Sequence, residues 1–240
     1  MTIFGITAKN DEQKAAIRAL LNDKPFTFLT GPAGSGKTLL AQAAGLERLT
    51  ERQDYRKFMY TRLQTQLGMD VGALPGSIDE KTYPFIAPFM DNLEIMSEKA
   101  SEIKRYLTEG EEDKRKVFFE NIQTMRGRSL HHTFLLVDEV QNIDTHTFAA
   151  IATRISEGSK FVFVGNFAQT DSVKLRKPSA NGLYQLLSGL YEKEAHDYFD
   201  HINLTIVERH PVVGIVEDIL RNHDVAPEFE ALEARGTVND

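Results

Sequence analysis

Short apolar runs along the chain alternate with segments in which apolar residues recur every three or four positions. The first pattern is typical of buried strands and the second of amphipathic helices. After Asp144, for example, Phe148, Ile151, Ala152 and Ile155 repeat at helical spacing. Alternation of strand and helix predicts an α/β fold with a mostly parallel sheet and helices on both faces. The predicted strands are residues 26–30, 57–61, 134–138, 160–165 and 202–207, and the predicted helices are residues 11–22, 37–52, 144–157 and 181–190.

One long interval interrupts this alternation. It shows no convincing strand, because residues 67–88 are rich in glycine and proline and residues 91–121 form a charged helical pattern. A long insertion in a compact domain is usually functional or flexible. We therefore predict a single domain over residues 1–225 with a helical and loop insertion at about 63–128. An acidic segment, residues 226–240, follows as a frayed helix or a tail.

Residues 31–38 read Gly-Pro-Ala-Gly-Ser-Gly-Lys-Thr and lie between a predicted strand and a predicted helix. This context is the one in which such a sequence forms a phosphate-binding loop. Its glycines let the backbone turn so that successive N–H groups point at an anion, and the helix start adds its positive dipole end. Lys37 then supplies a point charge for the outer phosphates, and the Thr38 hydroxyl is placed to bind magnesium.

Another predicted strand runs into two carboxylates. Residues 134–137 are apolar and Asp138 and Glu139 follow, which is typical of a central parallel strand whose carboxyl end opens on a ligand. Asp138 is the predicted magnesium partner, through a water, and Glu139 is predicted to polarise the water that attacks the γ-phosphate. A residue devoted to activating water favours hydrolysis over transfer to a bound acceptor.

The next predicted strand ends in two polar residues, Asn166 and Gln169. They lie at the end of the sheet where they could sense a γ-phosphate. Turn residues after a strand have the same composition, so that structural interpretation stays open beside the functional one.

Composition narrows the class of protein. The chain has 240 residues, 41% of them hydrophobic, which suffices for one sizeable α/β core. It has no cysteine, which excludes disulfides and thiolate metal sites. The start of the chain has no signal-like segment and no apolar run approaches a membrane span, so we expect a cytoplasmic location. With a net charge of −7, contact with nucleic acid must use local positive clusters.

Several short segments follow one another in a specific order. They are Thr61-Arg62, Ala73-Leu74-Pro75-Gly76, Met125-Arg126-Gly127-Arg128-Ser129-Leu130, Val137-Asp138-Glu139 with Gln141-Asn142, Gly165 with Gln169-Thr170-Asp171, and Arg209-His210-Pro211. From about Gln13 to Leu220 this order resembles the PhoH family. The resemblance implies a RecA-like P-loop ATPase core related to superfamily 1 helicases, with ATP and Mg²⁺ as cofactors. It also implies an association with RNA metabolism and homo-oligomeric rings such as hexamers.

The chain departs from the family pattern at a few positions. Asn166 stands where the family usually has an aspartate, Leu63 and Gln64 stand where it has proline and valine, and Asn181 stands where it has serine. The change at Asn166 removes a charge from the γ-phosphate side. A compact chain with these changes resembles phage-borne members, which would place it in the host cytoplasm.

Two further positions are candidates for contact with the nucleotide. Gln13 resembles the adenine-reading glutamine of superfamily 1 enzymes, whose amide can pair with the adenine edge, and it also fits a helix-capping pattern with Asn10. Both interpretations stay open. Arg209 is the first candidate for the positive charge that completes the transition state, presented by a neighbouring subunit, and Arg126 and Arg128 are its rivals.

Positive and aromatic residues are the candidates for nucleic-acid contacts. The positive ones are Arg62, Arg126, Arg128, Lys174, Arg176 and Lys177, and the aromatic ones are Tyr83, Phe85 and Phe89. Aromatic residues of this kind are more often part of a core than a platform for bases.

We therefore expect Mg²⁺-dependent ATP hydrolysis coupled to remodelling of RNA or single-stranded nucleic acid in a homo-oligomeric ring. Two alternatives stay open: an ATP-dependent switch or assembly protein that acts on a protein partner, and a ribonuclease associated with an ATPase.

The site residues predicted for this reaction fall into three groups. The catalytic residues are Glu139, Lys37 and Arg209, and the magnesium ligands are Thr38 and Asp138. The nucleotide-binding residues are Gly31, Pro32, Ala33, Gly34, Ser35, Gly36, Lys37, Thr38, Gln13, Asn166 and Gln169.

Overall fold

A six-stranded parallel sheet lies at the centre of the computed structural model, which describes residues 1–62, 78–96, 115–120, 122, 127–220 and 226–238. The strands are β1 (Thr2–Ile3), β2 (Ile6–Thr7), β3 (Phe26–Thr30), β4 (Lys57–Arg62), β5 (Val117–Phe119), β6 (Thr133–Asp138), β7 (Lys160–Val164) and β8 (Phe199–Asn203). β1 and β2 form a separate antiparallel pair. In the central sheet the order is β5-β4-β6-β7-β3-β8, and the paired strands run parallel. All six carboxyl ends therefore face the same edge, where ligands bind in sheets of this kind.

Helices cover both faces of the sheet. They are α1 (Asp11–Leu21), α2 (Lys37–Thr50), α3 (Ile78–Ile95), α4 (Thr145–Ala152), α5 (Gly182–Glu192), α6 (Val212–Leu220) and α7 (Pro227–Ala234). Buried residues of α1, α2 and α3 pack on one face, and those of α4, α5 and α7 pack on the other. The predicted α/β class, a P-loop NTPase fold with helices on both faces of a parallel sheet, is confirmed. None of the described helices is both long enough and apolar enough to cross a lipid bilayer.

The central strands are buried on both faces. On β6, Phe134 and Leu136 belong to the apolar layer of α1 to α3, and Leu135 and Val137 belong to the opposite layer. All four side chains are fully buried. Because both faces of such a strand need apolar residues, the strand is a continuous apolar run in the sequence. This run allowed the strand to be predicted.

Helix α2 approaches the sheet closely at Gly45. A Cβ atom on Gly45 would lie 2.1 Å from the ring of Phe58 and 2.7 Å from the ring of Phe134. These two rings stack with 5.4 Å between their centroids. A side chain at this position would force the helix away from β4 and β6, so glycine sets how close α2 lies to the sheet.

Two elements end about four or five residues earlier than predicted. α4 ends at Ala152 instead of continuing to residue 157, and Ile155 instead pairs with Leu130 in an isolated parallel bridge. β8 pairs with β3 over Phe199–Asn203 instead of over residues 202–207. Its pairing ends because β3 itself ends where the chain turns into the phosphate-binding loop.

The insertion contains a strand that the sequence did not predict. β5 lies at the sheet edge and pairs with β4, with Phe58 opposite Val117. α3 also begins inside the glycine- and proline-rich part and contains Pro84 and Pro88, which usually break a helix. Packing outweighs this local preference: Phe89 is fully buried, and its carbonyl accepts a hydrogen bond from Gln42 of α2 at 2.9 Å.

Within the C-terminal segment, α7 packs on the rest of the domain. The Phe229 side chain of α7 is fully buried, and its ring stacks on Phe167 with 4.5 Å between the centroids. The ring of Tyr184 lies 5.2 Å from the ring of Phe229. Glu228 is exposed in the first turn, where the helix dipole favours a negative charge. The acidic composition of this segment describes its outer face, and two apolar residues, Phe229 and Leu232, anchor it.

We predict that Phe229→Ala lowers the free energy of unfolding by about 3 to 5 kcal/mol, because it removes a buried ring and leaves a cavity. Urea unfolding followed by circular dichroism measures the change. Glu228→Gln, on the exposed face of the same helix, should change it by less than about 0.5 kcal/mol. Equal stability of the two variants would show that α7 does not stabilise the domain.

Candidate nucleotide-binding site

Three glycines with positive φ angles shape the loop between β3 and α2. Gly31, Gly34 and Gly36 have φ values of 120°, 78° and 94°, which side-chain-bearing residues rarely adopt. The Lys37 side chain folds into this loop, and its Nζ atom donates to the carbonyl oxygens of Gly31, at 2.7 Å, and Pro32. A phosphate would offer the same ammonium group charged acceptors, which form stronger hydrogen bonds than neutral carbonyls.

The acidic end of β6 lies beside the start of α2. The Thr38 hydroxyl donates to Asp138 Oδ1 at 3.2 Å, and the Tyr60 hydroxyl donates to Asp138 Oδ2 at 3.1 Å. Burial, together with the charge of Glu139, raises the pKa of Asp138. Burial also raises the pKa of Tyr60, so this hydroxyl keeps its proton. Hydroxyl and carboxylate oxygens are hard ligands of the kind that Mg²⁺ prefers, and the structure brings the two predicted ligands together.

Glu139 lies immediately beyond β6 in a left-handed conformation, with φ 56° and ψ 38°. This conformation is uncommon for a residue with a side chain, and such outliers cluster at functional sites. Arg62 Nη2 donates to Glu139 Oε1 at 3.1 Å, and Gln141 Nε2 donates to Glu139 Oε2 at 2.6 Å. The carboxylate is therefore held at the cleft wall by one cation and one amide.

Gln141 links Glu139 to the segment after β7. Its side-chain oxygen accepts the backbone N–H of Asn166 at 3.1 Å, and its amide nitrogen lies 3.4 Å from the carbonyl oxygen of Gln169. Asn181 Nδ2 in turn donates to the backbone carbonyl of Gln141 at 3.0 Å. Asn166 and Gln169, the predicted γ-phosphate sensors, both line the cleft, and this fully buried glutamine connects them to Glu139.

Residues 204–209 form a strap that crosses the phosphate-binding loop. Glu12, in the first turn of α1, accepts the backbone N–H of Thr205 at 2.8 Å. The N–H of Glu208 donates to the carbonyl of Gly34 at 3.0 Å. The strap therefore connects the loop to the start of α1.

Arg209, at the end of the strap, lies over the loop of its own chain. A Cβ atom placed on Gly34 would lie 3.1 Å from three carbons of the Arg209 side chain, and Arg209 lines the cleft. The sequence predicted that a neighbouring subunit would present this arginine. In the structure this side chain lies at the cleft of the chain that carries it.

Gln13 also contacts the loop. Its backbone N–H donates to Asn10 Oδ1 at 2.8 Å, which is the helix cap. Its side-chain oxygen accepts the N–H of Lys9 at 2.9 Å, and its Nε2 donates to the carbonyl of Ser35 at 3.0 Å. The capping interpretation therefore holds for the backbone, while the side chain supports the loop. The adenine-reading role stays a prediction.

These elements enclose a cleft of about 590 Å³, a size that fits a small-molecule ligand. Its walls are the glycine loop, the acidic end of β6, the strap and one face of α3, which contributes Pro88, Asp91, Asn92 and Ile95. A triphosphate and Mg²⁺ suit this donor set, because the left-handed glycines form a cradle without Cβ atoms and Lys37, Thr38 and Asp138 converge on it.

The predicted nucleic-acid residues make different local contacts. Arg62 pairs with Glu139, and Arg128 pairs with Glu120, where Nη1 and Oε1 lie 2.9 Å apart. Arg176 donates to the carbonyl of Thr170 at 3.2 Å. Lys174 and Lys177 are exposed, Phe89 is a core residue, and Arg126 and the side chains of Tyr83 and Phe85 lie outside the described residues.

The profile of the PhoH family, described as PhoH-like protein, matches residues 5–221. The chain belongs to this family. Protein PhoH2 of Bacillus subtilis is 35% identical, with 78% of this chain and 48% of that protein covered. A PhoH-like protein of Synechocystis is 32% identical, with 92% of this chain and 64% of that protein covered. The chain spans about half the length of the PhoH2 proteins that it matches.

Among solved structures, the large terminase of a thermophilic bacteriophage superimposes with a TM-score of 0.55. The match covers 90% of this chain and 52% of the terminase, at 13% sequence identity. At this identity the likeness shows the fold alone. Family membership and the shared fold support the P-loop NTPase fold class, and the activity is a matter for the geometry of the site.

Sequence reasoning missed several residues that build the site. In the sequence, Tyr60 looks like an ordinary strand residue. Glu12 looks like an acidic residue that favours the first turn of a helix. Gln141 belongs to a family-like segment but had no assigned role. The spacing of Tyr60 and Arg62, two apart on one strand, is a signal that both face the same side.

We predict that Lys37→Ala weakens ATP binding roughly thirtyfold or more, because the variant loses the only side-chain cation that this motif places inside the loop. Isothermal titration calorimetry with Mg²⁺ and a non-hydrolysable ATP analogue measures the affinity. Lys193→Ala, an exposed residue beyond α5, is the matched control and should bind normally. Unchanged binding by Lys37→Ala would show that the loop is not the site.

Proposed function

We propose that the chain hydrolyses ATP in a Mg²⁺-dependent reaction and couples hydrolysis to RNA or single-stranded nucleic acid. The observation that carries this proposal is the meeting of the glycine loop and the acidic strand end: Thr38 lies 3.2 Å from Asp138, and Glu139 lines the same cleft. A hydrolase needs both a phosphate cradle and a residue that activates water, and this cleft has candidates for each.

The loop residues bind and orient the phosphates. Its backbone N–H groups and the start of α2 favour negative charge, and Lys37 neutralises the outer phosphates. Thr38 and Asp138 would hold the metal, and Tyr60 fixes the orientation of the Asp138 carboxylate. A bound Mg²⁺ would neutralise charge that develops on the phosphate oxygens.

Glu139 acts on water. Its carboxylate accepts a proton as the water oxygen bonds to the γ-phosphorus, and the bond from that phosphorus to the bridging oxygen of ADP breaks. Gln141 keeps the carboxylate at the cleft wall and ties its position to Asn166. This connection would let Glu139 respond to whether a γ-phosphate occupies the cleft.

Nucleic acid is the proposed partner for a structural reason as well as by resemblance. The exposed Lys174 and Lys177 lie in the segment after β7. Asn142 and Asp171 exchange two hydrogen bonds of 2.9 Å, which tie that segment to the turn following Glu139. Phosphates that bind these lysines would therefore be connected to the catalytic carboxylate by a short chain of contacts.

Self-association is proposed from the surface of α6. Ile215, Ile219 and Leu220 are 59%, 68% and 76% exposed, an apolar face of the kind that marks interaction sites. This helix begins three residues after Arg209, so an interface there would lie close to the cleft. A ring, its hexameric size, a phage source and a cytoplasmic location stay predictions.

We predict that Glu139→Gln still binds ATP but releases phosphate at least about a hundredfold more slowly, the scale of losing a general base. Steady-state phosphate release is measured with no polymer, with single-stranded RNA and with single-stranded DNA, and one of the polymers should stimulate the wild-type rate. Glu157→Gln, an exposed residue after α4, should behave like wild type.

Normal turnover by Glu139→Gln would exclude its role as the base. Wild-type turnover that neither polymer changes would overturn the coupling to nucleic acid. That result would favour the ATP-dependent switch that acts on a protein partner, for which the apolar face of α6 offers a surface.

We predict that Arg209→Ala lowers kcat at least about tenfold and that mixing it with Lys37→Ala chains restores nothing, because each arginine lies over its own loop. Light scattering and exchange of labelled chains should accompany the assay, to establish that mixed assemblies form. Recovery of activity in such assemblies would mean that Arg209 acts on the neighbouring subunit.

A further inference from the structure

The Glu139 carboxylate has hydrogen-bond donors on both of its oxygens. Arg62 Nη2 lies 3.1 Å from Oε1, and Gln141 Nε2 lies 2.6 Å from Oε2. A carboxylate that activates water must direct a lone pair at that water. Each donor competes with the water for the same carboxylate. The two partners therefore control how often a Glu139 oxygen is available to accept a proton from water.

The two partners differ in their surroundings. Gln141 is fully buried and makes further hydrogen bonds to Asn166 and Asn181, so it is part of the rigid interior. The Arg62 side chain is 33% exposed at the end of β4, and it lines the cleft. A solute can therefore reach Arg62 while Gln141 keeps its place.

Strand β4 makes two separate contacts with the acidic end of β6. Tyr60 and Arg62 are two residues apart and point to the same side of the sheet. Tyr60 holds Asp138, and Arg62 holds Glu139. Movement of the Arg62 side chain alone would leave the Tyr60 and Asp138 contact intact, so it would change the base and not the metal ligand.

We propose that the ion pair between Arg62 and Glu139 restrains hydrolysis and that backbone phosphates of single-stranded nucleic acid release the restraint by taking Arg62. This inference rests on the proposed hydrolysis and adds a mechanism for its regulation. Guanidinium groups bind phosphate through paired, charge-assisted hydrogen bonds, so a polyphosphate backbone competes well with one carboxylate. Glu139 then keeps the Gln141 contact and turns its other oxygen to water.

The size of the effect follows from the exposure of the pair. Both side chains are about one third exposed, at 33% and 31%, so solvent screens their attraction. Pairs of this kind shift an equilibrium by up to about fivefold. The restraint should therefore lower the basal rate by roughly two- to fivefold and not abolish it.

The test compares Arg62→Met and Arg62→Lys with wild type in steady-state ATP turnover, with and without poly(U) and single-stranded DNA. Arg62→Met should raise kcat without polymer about two- to fivefold, leave KM for ATP unchanged, and lose stimulation by polymer. Arg62→Lys keeps the charge and should keep a part of both the restraint and the stimulation. Arg56→Met, at an exposed residue just before the same strand, should match wild type.

Further measurements separate a change in the base from a change in the fold. The unfolding temperature of Arg62→Met should fall by no more than about 4 °C, the scale of one partly exposed ion pair, and its ATP affinity should match wild type. In a Glu139→Gln background, Arg62→Met should produce no acceleration, since the group that it frees is absent. An acceleration that persists in that background would overturn the proposal.

The outcomes distinguish this proposal from the function on which it rests. A basal rate for Arg62→Met equal to or below that of wild type overturns the restraint, because Arg62 would then have no effect on Glu139 or would align it productively. A wild-type rate that no polymer changes overturns the coupling to nucleic acid. A faster Arg62→Met beside such a wild type would still support the ion pair as a restraint.

Discussion

The hydrogen bond between the Thr38 hydroxyl and the Asp138 carboxylate, 3.2 Å long, marks the contact on which the rest of the site depends. The two residues are 100 positions apart in the chain, and β7 lies between β6, which ends in Asp138, and β3, which leads into the loop before Thr38. They meet because parallel strands end at one edge and because Gly45 lets α2 lie close to β4 and β6. Any change in that packing would move the phosphate cradle away from the acidic strand end.

Around this contact, the domain places elements from distant parts of the chain against the phosphate-binding loop. The strap of residues 204–209 crosses the loop and is held by Glu12, and Gln13 donates a hydrogen bond to the loop itself. α3, from the insertion, forms another wall of the cleft. A loop so rich in glycine has little rigidity of its own, so these contacts supply the order that phosphate binding requires.

The family and the fold support different kinds of statement. The family match covers residues 5–221, whereas the bacteriophage terminase shares the fold at 13% identity. A P-loop fold serves many activities, so function has to be argued from the site. Here the informative features are the left-handed Glu139 and its two partners, Arg62 and the buried Gln141, since these are the residues that a hydrolase would use to control its water.

Several parts of the protein can be predicted from local patterns of residues. The glycine loop, the acidic strand end and the alternation of strands with helices were readable because each depends on neighbouring residues and on strict positional demands, such as a glycine where φ is positive. The class of the fold followed from them. The site residues Lys37, Thr38, Asp138 and Glu139 came from the same local motifs, and the structure brings them to one cleft.

Other features depend on contacts between distant segments and became visible in the folded chain. β5 and α3 are stabilised by contacts with β4 and α2 that outweigh weak or contrary local signals, including two prolines. The buried packing of Phe229 was likewise not apparent from the sequence, because the residues beside it are acidic. Whether Arg209 reaches its own loop, and whether Arg62 meets a phosphate or Glu139, depends on where separate strands and turns end in space. A charged side chain carries no local sign of its partner, since hydrogen bonds and ion pairs between distant segments form only once the fold brings them together.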